Sequence, residues 1–148
     1  GIEALKAGCD IVTDTQMAKA GINKTILASL GGEVHCFMSD PDVAQEARSR
    51  GVTRAFVSME KAAALEKPCI FAIGNAPTAL LSLEQLMEEG KAAPALIIGV
   101  PVGFVNVEIS KERIIEKARA PYIVARGRKG GSNVAAAICN ALLYQIRR

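Results

Sequence analysis

The sequence predicts an α/β fold of three layers, α/β/α, around a mainly parallel sheet of about five strands. Two observations carry this reading. The first is a repeated unit: an apolar run, a glycine-bearing loop, then a helix. Residues 69–73 run into Gly74-Asn75-Ala76-Pro77-Thr78, residues 95–98 into Gly99-Val100-Pro101-Val102-Gly103-Phe104, and residues 122–125 into Gly127-Arg128-Lys129-Gly130-Gly131-Ser132. Short runs that are apolar throughout read as buried strands of a parallel sheet covered by helices. The second is the punctuation between the runs, where Asp40-Pro41, Pro77, Ser110 and Ser132 each fit a helix start. In such sheets a ligand sits beyond the carboxyl ends of the strands. The loops after the apolar runs are therefore expected to share one rim, and that rim is the candidate site.

Taken in order, residues 2–7 read as the tail of a helix ending at Gly8. Residues 10–13 form a first strand, expected at the centre of the sheet because the chain can wind outward from it in both directions. A helical stretch begins near Gln16 and breaks at Gly21; Asn23 caps a second short helix that ends at Gly31-Gly32. Residues 33–38 read as the second strand. Asp40 as cap and Pro41 at the first helical position start a helix that stops at Gly51. Residues 53–57 read as a short strand, with Ser58 capping the helix after it. Pro68 ends that helix and opens the strand through Ile73. Pro77 opens a helix through Glu89, with Leu80, Leu83 and Met87 on one face. Pro94 opens the next strand, Ser110 caps a helix through Arg119, and Pro121 starts the last strand. Ser132 caps a final helix in which Val134, Ile138, Leu142 and Ile146 recur at helical spacing. No internal repeat or linker interrupts the pattern, so residues 1–148 read as one domain.

Composition narrows the function. Half of the 148 residues are hydrophobic but only 4% are aromatic, and tryptophan is absent, which favours an aliphatic core over a stacking platform for bases. No apolar run approaches the length of a membrane span, and residues 1–6 lack the charged-then-apolar pattern of a signal peptide. The reading is a cytoplasmic protein. Cys9, Cys36, Cys69 and Cys139 show no C-x-x-C spacing and are read as reduced thiols, with a disulfide pair as the alternative. The net charge of +3 is unevenly spread: residues 1–110 carry nine basic and thirteen acidic side chains, and residues 111–148 nine basic and two acidic. A basic carboxyl-terminal part points to an anionic ligand or a nucleic acid. Arg147 and Arg148 at the chain end fit a solvated face, whereas Arg126, Arg128 and Lys129 flank glycines at the expected rim.

The loop Gly127-Arg128-Lys129-Gly130-Gly131-Ser132 is the sharpest local signal. Glycines expose backbone N–H groups, two cations lie inside the loop, and a helix begins at once, which together suit a carboxylate or phosphate. The G-x-x-x-x-G-K-[ST] spacing of a nucleotide loop is absent. A tight turn with solvent-facing cations is the plainer alternative. Residues 74–78 serve equally as a strand-to-helix turn, with Asn75 satisfying helix N–H groups. Residues 99–103 lack G-x-G-x-x-G. Asp14, between Thr13 and Thr15 at a strand end, is a ligand-facing candidate, while Asp40 reads as a cap. The single histidine, His35, lies in mid-strand on the face opposite Val34 and Cys36; a packed or surface role competes there with general acid catalysis. No ligand spacing indicates a metal.

Together these stretches closely resemble the precorrin-8X methylmutases of cobalamin biosynthesis, over essentially the whole chain. The resemblance rests on Thr13-Asp14-Thr15-x-Met17 with Gly21-Ile22 beyond, on Ser39-Asp40-Pro41 through Gly51-x-Thr53-Arg54, and on Ile73 through Leu80. Residues 94–105 and the loop from Gly127 to Ser132 complete it. It implies a methyl migration from carbon eleven to carbon twelve of a corrin precursor, with no cofactor, and a homodimer whose partner helps enclose the ligand. It implies no nucleic-acid or membrane partner. The implied substrate bears several acetate and propionate carboxylates, in agreement with the basic rim. The expected binding residues are Thr13, Asp14, Arg54, Asn75, Gly103, Phe104, Arg128, Lys129, Gly130, Gly131 and Ser132. Arg54 and Arg128 are the expected carboxylate clamps. Two departures stand out. The family's catalytic histidine belongs to a segment upstream of the stretch matched by Gly1, so His35 does not inherit its role. The family's Glu-Ser-Lys is here Ile109-Ser110-Lys111, with Glu108 one position earlier.

Overall fold

The computed structural model of the protein describes residues 1–117 and 119–147. Its sheet has five strands, all parallel, in the order β2-β1-β3-β4-β5: β1 (Asp10–Thr13), β2 (Val34–His35), β3 (Cys69–Ile73), β4 (Leu96–Gly99) and β5 (Tyr122–Val124). Among the described residues eight helices accompany them: α1 (Ile2–Lys6), α2 (Gln16–Gly21), α3 (Lys24–Ser29), α4 (Pro41–Arg50), α5 (Arg54–Ala63), α6 (Pro77–Glu88), α7 (Val107–Lys117) and α8 (Ser132–Ile146).

The alternation of side chains along each strand divides the core into two layers. Ile11, Ile70, Ala72, Leu96 and Ile98 pack under α8, with Ala135, Ala136, Cys139 and Leu143 facing them. Val12, Phe71, Ile73 and Ile97 pack on the other face against Met59 of α5, Leu80 and Leu83 of α6, and Ile114 of α7. The three-layer expectation therefore holds. All four cysteines are free and buried, and burial pushes the Cys9 and Cys69 thiols up to about 11 and the Cys139 thiol to about 12. Such thiols behave as small apolar groups.

Several expectations are corrected. Residues 53–57 do not form a strand. Thr53 Oγ1 accepts from the Phe56 N–H and starts α5, whose Ala55, Met59 and Ala62 then face the sheet at helical spacing. An N-cap followed by an i, i+4 apolar pattern outweighed the local β-propensity of a few residues. With that segment helical, only β2 lies outside β1, so β3 and not β1 is the central strand. The second strand is cut to Val34–His35, because the chain turns through the Asp40 N–H to Phe37 carbonyl bond. The last strand is not buried: β5 is an edge, with Tyr122 and Ile123 exposed.

The predicted caps also move. The Asp40 carboxylate makes no cap bond and pairs with Lys61 Nζ at 2.8 Å. Ser110 lies one turn inside α7, which begins at Val107 after Asn106 in a left-handed conformation (φ 61°). Gly131, not Ser132, is the cap residue of α8. α7 ends at Lys117, short of Arg119, and Arg148 lies outside the described residues. Arg147 is not merely solvated, since its guanidinium donates to Ser29 Oγ at 2.9 Å.

Candidate functional site

Parallel strands deliver the loops after β1, β3, β4 and β5 to one edge of the sheet, as expected, and close contacts join them. Thr15 Oγ1, the acceptor that caps α2, hydrogen-bonds Ser132 Oγ at 2.8 Å. A Cβ on Gly74 would lie 2.7 Å from the Gly131 carbonyl oxygen, so these two loops approach as closely as they do only because Gly74 has no side chain. The Gly131 N–H donates to the Val100 carbonyl at 2.8 Å, and the Gly103 N–H to the Arg128 carbonyl at 3.1 Å. Gly130 packs directly on the Val100 carbonyl, where any Cβ would collide with it.

The sequence-predicted residues divide into those turned inward and those turned outward. Asp14 is turned inward, at 2% exposure. Its carboxylate accepts from the N–H groups of Gly74 (2.9 Å), Asn75 (2.9 Å) and Ala76 (2.6 Å). Burial pushes its pKa up against the pull of those three amides. Asp14 is thus a positioning residue for the loop that opens α6, which corrects the ligand-facing expectation. It also takes the part assigned to Asn75, whose N–H is a donor here. Thr13 Oγ1 donates to the Thr15 carbonyl, Ser132 is tied to Thr15, and the Gly131 amide is taken by Val100.

Outward stand Asn75, Phe104, Arg128 and Lys129, with Gly130 half-buried between them. Phe104 is 80% exposed, and the Arg128 guanidinium lies over its ring, 5.3 Å from the centroid. Arg128 Nε also meets Glu108 Oε1 at 3.3 Å, and Arg126 pairs with Glu112. Neither α6 nor α8 has a side-chain bond from its N-cap residue, but the amides at the head of α6 have Asp14 and those at the head of α8 have no carboxylate among the described residues. That leaves the positive end of a 15-residue helix beside Arg128 and Lys129.

Arg54 is not part of this group. It opens α5 and lines a separate hollow with Ala44, Ala47, Arg48 and Val52, and among the described residues no hydrogen bond or ion pair joins it to the four loops. The two expected carboxylate clamps, Arg54 and Arg128, thus lie apart within the chain. Sequence reasoning missed Thr15, whose hydroxyl links two loops 117 residues apart, because a local cap signal carries no news of its distant partner. A larger hollow of about 330 Å³ lies at the opposite, amino end of the strands, against Lys67, Cys69 and Phe71.

His35, the last residue of β2 and in register with Val12, turns its side chain back toward Asp10 at that amino end. Its Nε2 lies 2.9 Å from Asp10 Oδ2, and its ring stacks on Phe37. Asp10, Glu33 and His35 form one possible metal-ligand group among the described residues, contrary to the expectation of none. The Asp10 oxygens are already engaged, Oδ1 by the Glu33 N–H and by Lys67 Nζ at 2.8 Å, and Oδ2 by His35. The arrangement reads as an internal ion-pair network.

Comparison with known proteins adds an independent line. A family model described as precorrin-8X methylmutase matches residues 1–145. The cobalt-precorrin-8 methylmutase of Priestia megaterium is 49% identical over 142 residues, covering 96% of this chain and 63% of that protein. That of Salmonella typhimurium is 49% identical over 146 residues, covering 98% of this chain and 67% of that protein. The chain thus spans about two thirds of the length of these relatives. A crystal structure of precorrin-8X methylmutase from Thermus thermophilus superposes with a TM-score of 0.84 at 38% identity, over 97% of this chain and 69% of that one.

Proposed function

The chain belongs to the precorrin-8X methylmutase family, and from that premise we propose that it acts as an isomerase in corrin ring synthesis, moving a methyl group from carbon eleven to carbon twelve of precorrin-8 or cobalt-precorrin-8. One carbon–carbon bond to the methyl breaks and one forms, so the net change needs no oxidant and releases no group. The observation that carries the proposal is the outward half of the rim. Arg128 lies over the ring of Phe104; Phe104 and Val105 are 80% and 79% exposed, and Lys129, next to Arg128 in the chain, is exposed as well. Cations next to exposed apolar surface suit an apolar disc with a carboxylate fringe. Arg128 offers a planar fork for one carboxylate, and Lys129 a point charge for another. Gly130, without a side chain, lets this loop lie directly on the Val100 carbonyl and so fixes where its amides stand.

The chain's own contribution is therefore binding and orientation. Its one histidine, His35, is bonded to Asp10 at the other end of β1, so no imidazole of this chain faces the rim. A second reading is a tetrapyrrole-binding protein without isomerase activity. Under either reading the protein is a cytoplasmic homodimer with no nucleic-acid or membrane partner; no helix among the described residues is long and apolar enough to cross a membrane. A monomer in sedimentation at micromolar concentration would count against the dimer.

Absorbance titration tests both readings. Cobyrinic acid, a corrin with free carboxylates, is expected to bind saturably and more weakly as salt rises. Cobalt-precorrin-8 is then expected to bind and to change chromophore as the methyl moves. Binding without that change selects the second reading, and failure of both compounds to bind rejects the two together.

A further inference from the structure

Lys111 is fully buried in α7 at 0% exposure, yet no carboxylate contacts its ammonium among the described residues. Nζ donates instead to the carbonyl oxygens of Gly127 (2.8 Å) and Lys129 (2.9 Å). Burial lowers its pKa, and only the charge of Glu108 opposes that shift. An uncompensated buried cation is costly, and what it does here is geometric. A trans peptide points the C=O of one residue and the N–H of the next to opposite sides, and no peptide bond here is cis. Carbonyls 127 and 129, drawn toward Nζ, turn the N–H groups of Arg128 and Gly130 away from α7. The Arg128 carbonyl is held by the Gly103 N–H, which turns the Lys129 N–H away from Gly103. None of these three N–H groups finds an acceptor among the described residues. Successive amides left without internal acceptors are the donors that an oxyanion site needs.

We propose that Lys111 is the positioning residue of a carboxylate site made by the Arg128, Lys129 and Gly130 amides, holding that loop with its carbonyls inward and its donors toward the ligand. The proposal rests on the corrin reading for the identity of the ligand, but not for the geometry of the loop.

The test compares cobyrinic acid with its fully amidated form, on the wild-type protein, Lys111→Met and Lys111→Arg. Wild type should prefer the free acid. Lys111→Met should lose about tenfold in affinity for the acid and almost nothing for the amide, while Lys111→Arg, which keeps a cationic donor on α7, should recover most of the loss. An equal loss for both forms, or none, overturns the proposal, because a merely structural lysine would not move the acid-to-amide ratio alone. Should Lys111→Met not fold, Lys111→Gln must lower that ratio by at least about threefold for the proposal to stand. If wild type binds neither corrin, the corrin reading fails by itself. Amide exchange then decides the geometry: the Gly103 and Gly131 N–H groups, which bond Arg128 and Val100, should exchange at least about tenfold faster in the lysine variant. Unchanged protection overturns the positioning role.

Discussion

Two clusters of backbone N–H groups occupy the same rim and differ in what answers them. At the head of α6, the Gly74, Asn75 and Ala76 amides converge on the buried Asp14 carboxylate. In the loop after β5, the Arg128, Lys129 and Gly130 amides meet no acceptor among the described residues, and two exposed cations stand beside them. The strand order 2-1-3-4-5 places its topological switch between β1 and β3, where a ligand crevice is ordinarily sought. Asp14 fills that crevice from within. Donors without an acceptor among the described residues stand instead in the loop after β5, where we propose that an external anion is taken.

Removing the internal answer should give the largest effect. Asp14→Ala strands three amides in a buried place and is expected to cost about 3 kcal/mol, read from the urea midpoint. A cost below about 1 kcal/mol would mean that water replaces the carboxylate and that the two clusters do not differ in kind. Gly130→Ala attacks the other cluster. Its Cβ collides with the Val100 carbonyl, a backbone group that cannot rotate aside, so the loop must shift at a cost of about 2 kcal/mol and corrin affinity should fall with it.

Arg128→Ala should weaken cobyrinic acid binding about tenfold at low salt. Arg147→Ala, which touches Ser29, should leave affinity unchanged, and Arg54→Ala should alter it by less than about twofold. Equal effects of Arg128→Ala and Arg147→Ala would make the glycine loop a structural turn. Asp10 sharpens the comparison from the far end of β1. Burial pushes its carboxyl up, but Lys67, His35 and the Glu33 amide outweigh that and hold it below the ordinary 3.8. A lowered folded pKa stabilises the protein above the unfolded value and is lost as pH falls through the folded one. Asp10→Asn should therefore cost about 1 kcal/mol at neutral pH and flatten the loss of stability below about pH 4, seen in melts across pH. The smallest change is Glu108→Gln. Releasing Arg128 from an exposed pair should tighten cobyrinic acid binding by about twofold.

Local signals sufficed wherever one residue type has one strong structural use. Residues 10–13, the Pro41 and Pro77 helix starts, the Gly51 stop and the apolar runs of β3 and β4 were all legible in this way. They failed where two uses compete. Residues 53–57 carry β-branched and aromatic residues, but Thr53 can cap, and packing of Ala55 and Met59 on the sheet settled the matter for a helix. Ser110 and Ser132 looked like caps because serine often is one; both hydroxyls are spent elsewhere, on Val107 and on Thr15.

For the site, composition and order alone determined that glycine-bearing loops follow parallel strands and that positive charge gathers after residue 110, because strand period, helix punctuation and charge are properties of neighbouring residues. Only the tertiary structure decided which polar groups are satisfied from within and which are turned outward. Asp14 and Arg128 both sit in loops after strands and look alike in sequence. The first finds its three donors about 60 residues away, and Lys111 reaches the two carbonyls on either side of the second. Whether a polar group is satisfied from within or left for a ligand depends on what distant chain is packed against it, and that is settled when the sheet assembles.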